Sequence, residues 1–594
     1  MIESQRSISH ICFIGAGYVG GPTAAVLARE CPHVQVTVVD RNAERIKAWK
    51  SDVLPVSEPS LLDVVRGPRD GLNAEKRRNL HFTTDLEGSI QAADTIMVAV
   101  DTPTKSRGTG AGYSLDIGRL EEVAMSIAQY ATSDKIVVEK STVPVGTGHT
   151  ISNILMDNSR VGVNFEVLSN PEFLAEGTAI CDLLSPDRVL IGSSDTKSGL
   201  SAAQALADVY ATWVPRSRII TINLFSSELS KLAANAMLAQ RVSSANALSL
   251  VCEATGANID QVMHAVGSDS RIGPHMLRSS FGFGGSCFKK DILSLVYLCK
   301  SLHLDDVASY WQSISDINET QKSRAVSRIV SRFNNSMGGK KVAVLGFAFK
   351  EGTGDTRESC SIDLVKGLLH EGALVNIYDP YVDKSQILKD LGFGEESSGG
   401  SVKICQSGEE ACEHTVAVLV ATNWDMFRVN PKALMNGVKS SYDDTNGEKE
   451  ASSKARGVPY GNGSTSCSAT GPLYASNGID STTEIMTDNC VSINSLENSS
   501  ESNGSSMETL EDNPTPISTP ELDPVRYNEP STGPRLNGIN DGDIPPVSLD
   551  WAHVAKAMKY PRIVFGSSRC LDRDVLVSMG FDVELIGRNK RKRN

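Results

Sequence analysis

The sequence predicts an α/β protein of two doubly wound domains joined by a long central helix, with a large disordered insertion in the C-terminal domain. Apolar strand-like runs alternate with helical segments from about residue 9, and the alternation restarts near residue 339. A helical stretch with few breakers, 226–255, lies between the two series. From about 428 to 548 Ser, Asn, Gly, Thr and Pro dominate, a composition that buries too little apolar surface to offset its chain entropy.

The first series opens with an apolar strand over 9–14. It runs straight into Gly15-Ala16-Gly17-Tyr18-Val19-Gly20, then a helix through Ala28 and a second strand over 34–39 ending in Asp40. Strand, glycine turn, helix, strand and an acid about 20 residues past the last glycine make a dinucleotide-binding fingerprint. Gly15 permits the tight turn, Gly17 lets a pyrophosphate approach the backbone, and Gly20 lets helix and strand pack closely. Asp40 would bind ribose hydroxyls and favours NAD over NADP; Arg41, which can accept a 2′-phosphate, works against that preference. Further strands are predicted over 95–100, 135–139 and 166–169. Thr102-Pro103, Val143-Pro144 and Asn170-Pro171 follow their carboxyl ends, where ligands of such sheets bind.

Within the long helix, Lys231 and Asn235 share a face among small apolar neighbours, so this lysine is expected to be packed instead of solvated. Gly256 is the expected stop. The second series has strands at 340–345 and 373–378, with Asp355–Ser359 opening a helix between them. It lacks the glycine fingerprint, so a nucleotide other than NAD is expected there. Strands over 562–565 and 581–586 finish that sheet, so the insertion interrupts a Rossmann-like domain. The resulting division is 1–215, 216–330, 338–428 plus 549–588, the insertion 429–548 and a basic tail 589–594. The tail reads as a solvated end, or as an interaction or nuclear-import signal.

The chain has 594 residues, 40% hydrophobic, with a net charge of −13, which argues against nucleic-acid binding. Twelve cysteines lack zinc spacing, no metal site is expected, and no run reaches the ~20 apolar residues of a membrane helix. The N-terminus lacks the apolar core of a signal peptide, so a cytoplasmic protein is expected.

The most informative segment is Gly282-Phe283-Gly284-Gly285-Ser286-Cys287-Phe288-Lys289-Lys290-Asp291. The glycines suggest a loop that backbone and ligand approach closely. A helix beginning at Asp291 places Cys287 at a helix N-terminus, where the thiolate is favoured. Asp291 is one turn on. The alternative is a half-buried structural cysteine.

Six stretches, Gly15–Pro22, Glu139–Pro144, Leu168–Ile180, Ser226–Ala236, Gly282–Asp291 and Gly346–Ser359, resemble the UDP-glucose/GDP-mannose dehydrogenase family, and within it the UDP-glucose 6-dehydrogenases. The resemblance implies two NAD-dependent oxidations at C6 of UDP-glucose, giving UDP-glucuronate. It implies Cys287 as nucleophile, Lys231 stabilising the C6 oxyanion, Asn235 orienting substrate or water, Asp291 and Thr142 positioning water, and Glu172 as general base. Around NAD it places the fingerprint residues Gly15, Gly17, Tyr18, Val19 and Gly20, with Asp40, Arg45, Thr102, Ser141, Thr142, Glu176 and Arg357. Glu172, Phe173, Leu174, Lys231, Asn235, Phe283, Gly284, Phe349, Lys350 and Arg569 are implied substrate contacts. Arg271 is implied to cross to a neighbouring subunit of a homo-oligomer, with the long helix as the seam. Asp101, Arg278 and the absence of an Asp-Gly-Arg run near Arg569 depart from the family pattern. Two other readings stay open: oxidation of another sugar nucleotide such as GDP-mannose or UDP-N-acetylmannosamine, and an idle scaffold whose insertion recruits unidentified partners.

Overall fold

A computed structural model describes residues 7–72, 78–394, 400–429 and 548–588; most of the composition-biased insertion and the basic tail lie outside the described residues. Two sheets organise the rest. The first has eight strands: β1 (His10–Ile14), β2 (Gln35–Val39), β3 (Leu80–Thr83), β4 (Thr95–Val98), β5 (Lys135–Glu139), β6 (Phe165–Ser169), β7 (Val189–Ser193) and β8 (Ile219–Asn223). Their spatial order is β3-β2-β1-β4-β5-β6-β7-β8. The order reverses between β1 and β4, which opens a crevice at their carboxyl ends. β1, β4 and β5 are nearly free of solvent along their length, because helices cover both faces.

The pairing is parallel except at β6–β7, which meet antiparallel through Ser169 and Gly192. Sequence reasoning finds neither β7 nor β8; together they extend the sheet beyond a six-stranded dinucleotide fold. The strand expected over 95–100 stops at Val98, since the chain leaves the sheet to form the rim of the crevice.

The second sheet has β9 (Lys341–Leu345), β10 (Leu374–Tyr378), β11 (Val402–Ile404), β12 (Ala417–Val420), β13 (Ile563–Gly566) and β14 (Asp582–Leu585). Its order, β11-β10-β9-β12-β13-β14, repeats the same reversal. The helix expected to open at Asp355 begins at Cys360 instead, with the Ser359 side chain accepting from Ser361 N. The two sheets share their first turn in detail. Gly15 N donates to Val39 O at 2.8 Å, and Gly346 N donates to Tyr378 O at 2.8 Å. Both glycines hold positive φ, 109° and 95°.

Between the sheets runs the helix Leu224–Thr255, started by Asn223 accepting from Ser226 N and stopped by Gly256 at φ 87°. Helices Phe288–Ser301 and Asp305–Ser331 pack on it. None of the described helices is long and apolar enough to cross a membrane.

β13 and β14 belong to chain beyond the insertion, so its two ends must meet. Leu549 N donates to Met426 O at 2.8 Å, and Trp551 Nε1 donates to Phe427 O at 3.1 Å. A chain that leaves and re-enters at one point loses only loop-closure entropy when lengthened, growing logarithmically with length. Replacing 430–547 by a short Gly/Ser linker is therefore expected to leave a folded protein. Thermal unfolding checks this: a midpoint at or above that of the full chain is expected, and failure to fold would refute it.

Candidate active site

The crevice of the first sheet is built for a ligand that lies against bare backbone. A Cβ on Gly15 would sit 2.4 Å from Ala99 O, and one on Gly20 would sit 1.9 Å from Gly15 O, so the fold itself demands these two glycines. Gly17 differs: nothing lies within 4 Å of its Cβ position. Packing leaves that space open, and a pyrophosphate at the helix N-terminus fits it. Tyr18 follows with its hydroxyl buried and, among the described residues, without a hydrogen-bond partner. Val19 precedes the helix Gly20–Glu30 as its N-cap residue.

Asp40 stands at the end of β2, where the fingerprint requires an acid. Its carboxylate accepts from Ala16 N at 2.9 Å, Asn42 N at 2.8 Å and Arg45 at 3.1 Å. Burial pushes its pKa up, but these donors outweigh it and hold the carboxyl below its usual range. A carboxylate has about four lone-pair sites, so one remains for a ribose hydroxyl. The matching acid of the second sheet is spent. Asp379 accepts from Phe347 N, Ala348 N, Tyr381 N, Val382 N and Trp424 Nε1.

The crevice's other rim is held by short bonds. Thr102 Oγ1 donates to Thr142 O at 2.7 Å, and Ser141 Oγ donates to Val100 O at 2.6 Å. Glu176 meets Arg357 at 3.1 Å, which ties this rim to the loop after β9. Burial and then the nearby Asp355 push Glu176 up to about 7, against the pull of Arg357.

Cys287 is the N-cap residue of the helix Phe288–Ser301 and is exposed, with Ser286 Oγ 3.5 Å from its sulfur. The helix starts one residue past the cysteine and three before the expected Asp291. Asp291 N donates to Cys287 O at 2.9 Å, but the Asp291 side chain turns inward. It is fully buried and accepts from Asn235 Nδ2 at 2.6 Å and from Lys290 Nζ at 2.8 Å. Lys231 is buried as the sequence implies, with its ammonium 5.0 Å above the Phe173 ring. Burial depresses its pKa, and the charges of Asp291, Cys287 and Glu172 oppose that without cancelling it. A lysine from the long helix, the thiol that caps the helix Phe288–Ser301 and a carboxylate after β6 are thus within electrostatic reach of one another.

Glu172 has a partner that sequence reasoning missed. Lys140 lies 3.0 Å from its Oε2, while Phe173 N and Leu174 N donate to its Oε1. Burial alone would raise the Glu172 pKa; the ammonium and the two amides overcome it and keep the carboxyl low. Lys140 also donates to Asn170 Oδ1 at 3.0 Å and lies 3.3 Å from the Tyr210 hydroxyl. Breaking such a buried pair from one side costs about 3–5 kcal/mol. The available signal was a lysine directly ending an apolar strand. Arg188, 3.8 Å from the Phe173 ring centroid, was missed as well.

The glycine loop before Cys287 owes its composition to the protein's own packing. A Cβ on Gly282 would meet Asn318 Oδ1 at 2.8 Å, one on Gly284 would meet Glu358 O at 2.5 Å, and one on Gly285 would meet the Phe349 ring at 2.8 Å. Asn318 holds Phe283 from both sides, accepting from its N–H at 2.7 Å and donating to its carbonyl at 3.0 Å. The protein surfaces packed against these glycines are the helix Asp305–Ser331 and the segment after β9. Lys350 lies over the Phe349 ring, and Arg569 pairs with Glu351. Arg271 is exposed and paired with Asp269 at 2.6 Å. Asp101 is exposed and paired with Arg119.

Three family models cover most of the described chain. They are the NAD binding domain (residues 9–214), central domain (225–320) and UDP binding domain (343–443) of the UDP-glucose/GDP-mannose dehydrogenase family. The chain belongs to that family. It is 54% identical over 431 residues to UDP-glucose 6-dehydrogenase 1 of Oryza sativa subsp. japonica, spanning 70% of this chain and 88% of that protein. It is 53% identical over the same length to UDP-glucose 6-dehydrogenase 2 of Arabidopsis thaliana, with the same coverage. Among solved structures, a UDP-glucose dehydrogenase from Pyrobaculum islandicum matches with a TM-score of 0.62 and 30% identity, over 71% of this chain and 92% of that one. The protein is therefore an oxidoreductase, and its cofactor is NAD.

Two glycine variants separate the fold from the cofactor. Gly20→Ala is expected to lower stability by about 1–3 kcal/mol through overpacking. Gly17→Ala is expected to keep the unfolding midpoint and weaken NAD binding. Calorimetry of unfolding and of NAD binding reads both; a Gly17→Ala protein with native affinity would remove the pyrophosphate from that position.

Proposed function

We propose that this protein oxidises UDP-glucose to UDP-glucuronate in two NAD-dependent steps through a covalent adduct on Cys287. The observation that carries the reading is the convergence of Lys231, Cys287, Asp291 and Glu172 beside the crevice. The relatives' names supply the sugar nucleotide, and the UDP binding domain supports it. The fingerprint loop, Asp40 and the Thr102–Thr142 rim would hold NAD, which would supply the hydride acceptor for each oxidation.

The side chains do the rest. The alcohol at C6 loses its proton to the water that Thr142 and Asp291 position as it becomes a carbonyl, and Lys231, with its depressed pKa, stabilises charge on that oxygen. The Cys287 thiolate adds to the aldehyde carbon, forming a C–S bond and a thiohemiacetal. Loss of the second hydride gives a thioester, and water then breaks the C–S bond to release the acid and the thiolate. Asn235, fixed by Asp291, orients substrate or water, and Thr142 with Asp291 positions the water. Glu172 accepts the water's proton; Lys140 keeps it ionised at the expense of its basicity, so it acts through position more than proton affinity. Phe173, Leu174, Phe283, Gly284, Phe349, Lys350 and Arg569 surround the sugar nucleotide, while Arg45, Ser141, Glu176 and Arg357 complete the cofactor side.

In this reading residues 1–215, 216–330, and 338–428 with 549–588 form three functional units: the first carries β1–β7, the second opens with β8 and the long helix, and the last holds the second sheet. A cytoplasmic location fits the ten described cysteines, all free thiols. The long helix leaves Phe225, Leu229, Met237, Leu248 and Val251 exposed, an apolar stripe suited to a second copy of the chain. That arrangement gives the exposed Arg271 a neighbouring site to reach.

NADH yield per UDP-glucose tests the chemistry. Two NADH with UDP-glucuronate as product are expected from the wild type, and no free acid from Cys287→Ser. Acid formation by the serine variant would exclude the thioester. Mixing Arg271→Ala with Cys287→Ala protomers tests the oligomer. Activity above that of either alone is expected, and a monomeric mass by light scattering would overturn it.

A further inference from the structure

The Lys231 face of the long helix carries an ionisable group that this chemistry leaves unused. Glu228 lies three residues before Lys231, on the same side of the helix, and is 1% exposed. Both its oxygens are taken by backbone donors at the start of the helix Thr147–Asn158, Gly146 N at 2.6 Å and Gly148 N at 2.7 Å. Beside it stands Glu139, the last residue of β5, also 1% exposed. Neither Glu139 oxygen meets a donor among the described residues. Its neighbour is the Glu228 carboxyl: both groups close on Gly148, whose N–H donates to Glu228 Oε1 at 2.7 Å and whose Cβ position lies 3.2 Å from Glu139 Oε2.

Among the described residues no compensating cation acts on Glu139. Glu139 is flanked in the sheet by Val98 of β4 and Ser169 of β6. A Cβ on Gly148 would sit 3.2 Å from Glu139 Oε2 and 2.7 Å from Leu224 of the long helix. Glu228 is the charged group that faces it. Lys140, the next residue, turns to the opposite side of the strand and is committed to Glu172. Two buried carboxylates in contact cannot both ionise. Glu228 uses both oxygens as acceptors, so the shared proton belongs to Glu139.

We infer that Glu139 is protonated in the working protein and donates to the Glu228 carboxylate, clamping the Lys231 turn of the long helix to β5 and to the loop that bears Ser141 and Thr142. The inference rests on the proposed roles of Lys231 and Thr142. Glu139 and Glu228 are positioning residues; neither touches substrate in this scheme. Burial and then the Glu228 charge push the Glu139 pKa well above its usual value. A pKa raised by folding adds stability that is complete in acid and is lost as pH rises through the folded value.

Wild type, Glu139→Gln and Glu139→Ala are compared by unfolding midpoint between about pH 6 and 10, and by steady-state oxidation of UDP-glucose. The wild-type midpoint is expected to fall with rising pH more steeply than that of Glu139→Gln, whose amide donates at every pH. Glu139→Ala is expected to lose roughly tenfold or more in kcat while KM for UDP-glucose changes less than about twofold, and Glu139→Gln to recover most of the loss. Parallel midpoint profiles for wild type and Glu139→Gln would overturn the shared proton. Unchanged kcat in a folded Glu139→Ala would overturn the clamp. If Glu139→Ala does not fold, the Glu139→Gln profile decides. If UDP-glucose is not oxidised at all, the earlier reading has failed, and the midpoint profiles still test the proton.

Discussion

A lysine removed from water sets the terms for the rest of this molecule. Burying the Lys231 ammonium costs several kcal/mol unless negative charge is brought to it. The compensating groups lie far away in sequence: Glu172 after β6, Cys287 at the start of one helix, Asp291 one turn along it. Each has its own support. Asp291 is held by Asn235 and Lys290, Glu172 by Lys140 and two backbone amides, and the Cys287 loop by Asn318.

The two sheets show how one turn can be committed to different ends. Both begin with a positive-φ glycine bonded to the end of the next strand, and both place an aspartate where it accepts from the first turn. Asp40 retains acceptor capacity beside the turn, bonded to Ala16 N, one residue before Gly17. Asp379 is saturated by five donors, one of them the Trp424 indole, which leaves it nothing for a ribose. The second sheet keeps the architecture of a dinucleotide domain after losing the means to bind the dinucleotide in that way.

The glycine loop joins the two halves. Gly282 abuts Asn318 and Cys360, Gly284 and Gly285 abut Glu358 and Phe349, and Gly285 N donates to Arg357 O at 2.9 Å. The loop carrying the thiol is therefore wedged against the segment after β9. Occupancy of the UDP-binding unit and the placement of Cys287 share a contact surface, and glycine is what allows the surfaces to approach so closely.

Local signals in the chain determined a good deal. The fingerprint, Asp40, the long helix with its Gly256 stop and Cys287 at a helix start all follow from short-range patterns that tertiary context did not override. The buried character of Lys231 was legible too, because its neighbours in the helix are small and apolar. Tertiary structure alone decided what depends on distant pairing. β7 and β8 continue the sheet through one antiparallel contact that no local period announces. Lys140 finds Glu172, and Glu139 finds Glu228, across 32 and 89 residues of chain. A carboxyl's protonation reflects which donors surround it, and those donors arrive only when β5, the Thr147–Asn158 helix and the long helix pack together.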